Sequence, residues 1–222
     1  MMKLDQHRLR TPNILYIKNK LATPNLIPGK QVYGEKLVKK NNKEYRLWNP
    51  SRSKLAAAIL KGLKNLPLKS DSTMLYLGGA SGTTISHLSD ILTKGVIFTV
   101  EISPEPIREL VFLSEERKNI APILADANRP DVYQNRIQKC DFLYQDVAQR
   151  NQVDILIKNA EFLNENGLMY IAVKARSIDS TMPVNQIFMD VKKQLSAKFK
   201  ILEELKLEPY EKDHLFLVLK TK

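Results

Sequence analysis

Five places at the ends of apolar runs carry groups that could act together: the Gly78-Gly79 pair, Glu101, Asp126, Asp146 and Lys174. Glycines at the end of a buried strand let the backbone come close to a ligand. The unpaired N–H groups of a following helix can then meet its polar atoms. Glu101 follows the glycines by about 20 residues, the distance at which an acid reaches ribose hydroxyls. Asp126 can accept from an exocyclic adenine amine, and Asp146 lies nearer a reacting centre.

Three carboxylates around one crevice disfavour a bare polyphosphate. They suit an adenosine ligand with positive charge, and S-adenosyl methionine carries a sulfonium and an ammonium. The glycine stretch Gly78-Gly79-Ala80-Ser81-Gly82 does not match G-x-x-x-x-G-K-[ST], so a P-loop is excluded. It does not match G-x-G-x-x-G either, which speaks against a nicotinamide dinucleotide. No metal site is expected.

An alternating chain would bring these groups to one edge. Strands are expected over 73–77, 96–101, 121–125, 141–146 and 168–174. Helices are expected between and after them, over 83–92, 104–118, 148–162 and 184–196. Two last strands, 199–207 and 214–220, are joined by a short link and should pair antiparallel. This is an α/β chain with a doubly wound sheet and an antiparallel terminal hairpin. Residues 1–50 read as a small β-rich, basic N-terminal subdomain, with residues 51–222 as the main domain. A β-rich run covers 13–17. The runs 31–38 and 43–48 flank Lys39-Lys40-Asn41-Asn42 as a hairpin turn. Pro50 opens a helix whose apolar face carries Leu55, Ile59, Leu60 and Leu63 through about Leu66, with Pro67 ending it.

The chain has 222 residues, 43% apolar and 27% charged, enough for a sizeable core. Its single cysteine, Cys140, excludes an internal disulfide and a Cys-rich zinc site. No apolar run approaches the roughly 20 residues needed to span a bilayer. The stretch Met1–Arg8 lacks the apolar core of a signal peptide. A cytoplasmic, reducing home is therefore expected. Charge is distributed unevenly: residues 1–71 hold 16 Lys and Arg against 4 Asp and Glu, and residues 72–222 hold 19 against 20. All the excess positive charge precedes the glycine turn. Nucleic acid is the leading partner, ahead of an anionic membrane, because no long basic amphipathic helix is present.

Several stretches resemble the archaeal-type fibrillarins. They are Val32-Tyr33-Gly34-Glu35, Trp48-Asn49-Pro50-Ser51-Arg52-Ser53-Lys54-Leu55-Ala56-Ala57, and Tyr76-Leu77-Gly78 with Ser81-Gly82-Thr83-Thr84. Further on come Tyr144-Gln145-Asp146-Val147-Ala148-Gln149, Lys174-Ala175-Arg176-Ser177-Ile178-Asp179, and Pro209-Tyr210-Glu211 with Asp213-His214. They follow one another in the expected order from near the start to near the end.

The resemblance implies a Rossmann-like class I methyltransferase sheet. It also implies an S-adenosyl-methionine-dependent 2′-O-methyltransferase of rRNA, with tRNA as a further substrate, acting in a box C/D guide RNA particle. The partners implied are the guide RNA, the target RNA, a Nop-domain scaffold protein and a kink-turn-binding ribosomal-type protein, without a membrane. A protein glutamine substrate is left open. The implied catalytic group is Lys54, Asp146, Lys174 and His214. The implied cofactor contacts are Gly78, Thr83, Thr84, Glu101, Ile102, Asp126, Ala127, Asp146 and Gln149. Ile102 departs from the pattern, since the family usually has an aromatic residue there. Adenine stacking would become plain apolar contact.

For ribose methylation the hydroxyl must lose its proton as attack proceeds. Lys174 is the candidate base, if Lys54 and burial lower its pKa, with Asp146 orienting it. Lys54 would hold the target phosphate or ribose. His214 would orient a lysine or the RNA, with a purely structural role equally open. His87 is expected to be structural or capping, and Trp48 and Tyr45 to pack the small subdomain rather than stack bases. Two other functions compete: a non-catalytic RNA-binding or assembly module on a methyltransferase fold, and a nicotinamide-dependent oxidoreductase.

Overall fold

The computed structural model describes residue 11 and residues 13–222, so the expectation for Met1–Arg8 lies outside the described residues. The chain begins with β1 (Leu15–Ile17), β2 (Lys20–Pro24), β3 (Leu37–Lys40) and β4 (Lys43–Leu47). They form an antiparallel sheet in the order β1-β2-β4-β3. β2 was not expected, because Pro24 argues against a strand interior. Pro24 is the last residue of the strand, so the missing N–H costs the ladder little. Lys39 and Lys40 belong to β3 rather than to the turn. The turn narrows to Asn41 and Asn42, both left-handed at φ 49° and 58°. Asn tolerates that conformation, and two such residues match the strand twist of a tight hairpin.

A 3₁₀ turn, Pro50–Arg52, leads into α1 (Lys54–Leu60). Ser53 caps α1, its hydroxyl accepting from the Ala56 N–H. The helix stops about six residues before Leu66, where the sequence pattern suggested. Gly62 at φ 96° closes it: its N–H donates to Ile59 O at 3.1 Å and the Leu63 N–H to Ala58 O at 3.0 Å. Leu63 and Leu66 are buried all the same, from a segment outside any helix. Helical spacing there reported burial and not helix.

The main sheet follows: β5 (Thr73–Leu77), α2 (Thr83–Ile91), β6 (Val96–Glu101), α3 (Pro104–Glu116), β7 (Ile120–Leu124) and β8 (Cys140–Gln145). Then come α4 (Gln152–Asn159), β9 (Leu163–Lys174), α5 (Ala175–Ile178), α6 (Val184–Lys198), β10 (Phe199–Lys206) and β11 (His214–Thr221). The strand order is β10-β11-β9-β8-β5-β6-β7. β9 through β7 run parallel, while β11 and β10 are antiparallel. α4 starts four residues later than expected, because residues 146–151 form the loop over the strand ends. β9 starts five residues earlier, with Gly167 inside the strand near a shift of register against β8. α5 is a single turn that no periodicity announces.

Period-two alternation divides the core. Met74 and Tyr76 of β5 face one apolar cluster with α1, α2 and part of α3, while Leu75 and Leu77 face another with α4 and α6. The sheet order reverses beside β5, with β6 on one side and β8 on the other. That is where a crevice opens at the carboxyl ends. Among the described residues no helix is long and apolar enough to cross a membrane.

Candidate active site

β5 ends at Leu77, and Gly78 turns the chain at φ 83°. A Cβ there would stand 2.7 Å from the Asp146 carbonyl oxygen, closer than real contacts allow. Only glycine lets the turn approach the end of β8 so closely. Asp146 is fixed from the same side, its N–H donating to Leu77 O at 2.9 Å. Gly82 then begins α2 without a side-chain cap. The first-turn amides at Thr83 and Thr84 are thus left for a ligand.

Ser53 joins two helix starts. Its hydroxyl caps α1 and also accepts from Thr84 Oγ1 at 2.9 Å. The first residue of α1, Lys54, is thereby held at the glycine turn. Its Nζ lies 3.4 Å from Asp146 Oδ2 and 3.9 Å from Glu211 Oε1. From the other side, Lys174 Nζ lies 2.9 Å from Asp146 Oδ1 and donates to the Asp146 carbonyl at 3.1 Å. The contact to Oδ1 is a charge contact off the hydrogen-bond direction. Oδ1 therefore remains a buried acceptor without a directed hydrogen bond among the described residues. One carboxylate stands between two lysines, and each side chain keeps 13–18% of its surface exposed.

His214 sits opposite Lys174 in the β11–β9 register. Its Nδ1 donates to the Lys212 carbonyl at 2.6 Å, so it does not hold a lysine by a hydrogen bond. Beneath the cluster lie Tyr76 and Tyr144, ring centroids 4.5 Å apart. Burial pushes both phenols well above their usual range. The Asp146 charge adds to this at Tyr76, as do Tyr76 and then Asp146 at Tyr144. Both stay neutral and neither can be the base.

The other wall runs along β6 and β7. Glu101 Oε2 accepts from the Ala80 N–H and Oε1 from the Ser103 N–H, each at 2.9 Å. The carboxylate is pinned between the glycine turn and the start of α3, with lone pairs to spare. Ile102 beside it is half exposed, an apolar surface at the crevice edge. Asp126 takes both Asn128 hydrogen bonds on Oδ1, at 2.8 and 3.1 Å. Asn128 Nδ2 donates onward to Gln149 Oε1 at 2.7 Å, so the Asp126, Ala127 and Gln149 loops form one network.

Such an arrangement can hold a nucleoside with a charged tail beside a cluster that moves protons. Comparison with known proteins agrees. A profile of the fibrillarin family matches residues 6–222. The chain belongs to the fibrillarin family. It is 51% identical over 226 residues to the Thermococcus gammatolerans fibrillarin-like rRNA/tRNA 2′-O-methyltransferase, covering 99% of each chain. The Aeropyrum pernix fibrillarin, crystallised with natively bound S-adenosyl-L-methionine, superposes with a TM-score of 0.84 at 45% identity. The match covers 90% of this chain and 88% of that one. A fibrillarin from a complex with Nop5p gives a TM-score of 0.90 at 44% identity, over 97% and 100% of the two chains.

Within this fibrillarin fold one residue escaped the sequence reading. Gln152, 1% exposed, clamps the end of β9. Its Oε1 accepts from the Lys174 N–H at 3.0 Å, while Nε2 donates to Lys174 O at 3.1 Å and Gln149 O at 2.9 Å. A side-chain amide thus stands in for a neighbouring strand and ties Lys174 to the Gln149 loop. No spacing in the sequence signals it. Glu211 and Ser53 lay inside quoted motifs, but their roles depend on which turns meet.

Proposed function

We propose that this chain methylates the 2′-hydroxyl of RNA ribose, in rRNA and in tRNA, with S-adenosyl methionine. It would act in a box C/D guide particle with a Nop-domain scaffold protein and a kink-turn-binding protein, inside the cell. The Lys54–Asp146–Lys174 cluster beside the glycine turn carries this reading. The rRNA/tRNA 2′-O-methyltransferase relative, the fibrillarin with bound S-adenosyl-L-methionine and the fibrillarin in complex with Nop5p support the substrate, the cofactor and the scaffold partner.

The crevice suits the cofactor. The uncapped amides at Thr83 and Thr84 would meet its carboxylate. Glu101 would take the ribose hydroxyls, Ile102 and Ala127 the adenine faces, and Asp126 the adenine amine. Gly78, Asp146 and Gln149 would line the rest. When bound, the cofactor supplies an electrophilic methyl group. The chain's residues do the remainder: they align the ribose, exclude water and take its proton. Much of the rate would come from that alignment.

The distances favour a division of labour among the catalytic residues that differs from the sequence expectation. Lys174 donates to the Asp146 carbonyl and lies 2.9 Å from its carboxylate, so it sits as a donor. We therefore give the Asp146 carboxylate the hydroxyl proton and Lys174 the charge that develops on oxygen. Lys54 holds the opposite carboxylate oxygen and stays near enough to steady the target nucleotide. His214, paired with Lys174 across β11 and β9 and with Nδ1 committed to the Lys212 carbonyl, would use Nε2 toward the RNA. The N-terminal sheet, with its exposed lysines, would face RNA or scaffold.

Labelled methyl transfer with guide-assembled RNA tests the proposal, with cofactor binding measured separately. Asp146→Asn and Lys174→Ala should each lower turnover by about 10²–10⁴-fold, the usual range for a positioned acid–base group. Near-wild-type turnover of Asp146→Asn would remove it as the proton acceptor. RNA capture by the wild-type chain without any methylation would favour the assembly-module reading.

A further inference from the structure

A cleft of about 460 Å³ lies outside the crevice just described, between the N-terminal sheet, the Asn49–Arg52 turn and Tyr210. Its size is within the range of small-molecule sites, about 300–1,000 Å³. We infer that it receives a single RNA nucleotide next to the one being methylated, an inference that rests on the methyl-transfer reading above.

The chemistry of its lining favours RNA. Lys20, Lys36 and Arg52 line it, all exposed cations. The carboxylate on the lining, Glu35, is neutralised by the Arg46 guanidinium at 2.5 Å. A phosphate therefore meets positive charge with no other acid among the lining residues. Tyr33 and Tyr210 are half-buried on its walls. The Arg52 guanidinium stands 5.1 Å from the Tyr33 ring centroid. Unstacked bases settle on such aromatic and guanidinium surfaces. Asn49 offers a side-chain amide whose nitrogen can address a base edge. An acidic peptide would find the cations but no use for the tyrosine faces.

Position makes the cleft part of the same reaction. Only the capping Ser53 separates Arg52 from Lys54. Tyr210 precedes Glu211, whose carboxylate is 3.9 Å from Lys54 Nζ. Both walls of the cleft therefore run directly into the catalytic cluster. A strand whose target ribose lies at Lys54 and Asp146 delivers its neighbour to this opening. The neighbour must leave its stack to enter, so occupation would hold the strand in register while the hydroxyl is aligned.

The double variant Arg52→Gln with Tyr210→Ala tests this in the assembled guide particle. Neither residue is part of the cluster or the cofactor crevice. The KM for target RNA should rise roughly tenfold, as loss of one stacked base predicts. Turnover at saturating RNA and cofactor affinity should stay within about twofold of wild type. Independently, 4-thiouridine placed one nucleotide either side of the target should crosslink to the Tyr33 or Tyr210 peptides. An unchanged KM, or crosslinks only elsewhere while methylation proceeds, overturns the inference and leaves methyl transfer standing. Capture of a scaffold protein by the cleft in place of RNA overturns it too. Absence of methylation with every RNA fells the underlying reading and this inference with it.

Discussion

Two ionic clusters among the described residues are built differently. One joins Arg46, Glu35, Asp90 and Arg117. Arg46 lies 2.5 Å from Glu35 and 2.8 Å from Asp90, and Arg117 is 2.7 Å from Asp90, with all four side chains at most 2% exposed. Further bonds tie it in: Arg46 also reaches Ser86 Oγ at 2.8 Å, and the backbone amides of Val32 and Tyr33 donate to Glu35. The other cluster joins Lys54, Asp146 and Lys174. It is partly open, uses longer contacts, and keeps a buried Asp146 oxygen without a directed hydrogen bond. A closed, buried network specifies how the N-terminal sheet meets α2. An open one with spare capacity is ready for a substrate.

Arg46→Ala should break the first cluster hardest. It leaves Glu35 without its guanidinium and removes one of two arginine partners from Asp90. Loss of one partner from a buried network costs about 3–5 kcal/mol. For a domain whose total stability is about 5–15 kcal/mol, urea unfolding would register that at once. Asp146→Asn should do the reverse, costing turnover while the unfolding midpoint stays near wild type. A loss below about 1 kcal/mol for Arg46→Ala would mean that the network is not what holds the N-terminal sheet to α2.

Sequence made the second cluster far more legible than the first. Asp146 and Lys174 end apolar runs, and runs bounded by Gly, Pro and acids declare themselves as buried strands. β5 and α2 were read almost to the residue for that reason. The partners of Arg46 lie 11 and 44 positions away on other elements. Nothing local marks them, and an arginine in a basic stretch reads as surface. The basic count of residues 1–71 therefore includes a residue that faces no solvent at all. Gln152 was hidden likewise, because its clamp on Lys174 exists only once α4 meets β9. β2 was hidden by a proline that happens to sit at its last position. Long-range polar contacts and element ends are set by tertiary meeting, which period and composition do not encode.

His87 sharpens the contrast from inside the closed network. Thr23 Oγ1 donates to Asp90 at 2.8 Å, so it can only accept from His87 Nδ1, 2.7 Å away. His87 Nε2 then accepts from the Tyr33 hydroxyl at 2.8 Å. The neutral ring is fully bonded, and it stacks on Trp48 with centroids 4.7 Å apart. Burial, then the Arg46 and Arg117 charges, hold the imidazole well below its usual 6.5. Below that value the unfolded chain takes a proton that the fold refuses. Stability should therefore fall as pH drops below 6.5, by about 1.4 kcal/mol per pH unit for this one group. Above it the ring contributes no slope. His87→Asn should remove that part of the pH dependence, whatever its effect on stability at neutral pH. An identical slope in the variant would assign the acid sensitivity to the carboxylates instead.

The smallest effect belongs to charges that join neither cluster. Lys39, Lys40 and Lys43 flank the Asn41-Asn42 turn, exposed on the outer edge of the N-terminal sheet. Exposed charges of this kind add little to stability, so reversing all three to Glu should shift unfolding by only about 0.5 kcal/mol. Their long-range field is another matter. If this edge faces RNA, each lysine that meets a phosphate releases a counterion, and log K should become shallower against log salt in the variant. Titration of target RNA between about 50 and 200 mM salt measures it. A wild-type slope would place the RNA-facing surface at the cleft and cluster alone. The hairpin would then be a solubilising edge, its lysines guarding an open strand from pairing with another chain.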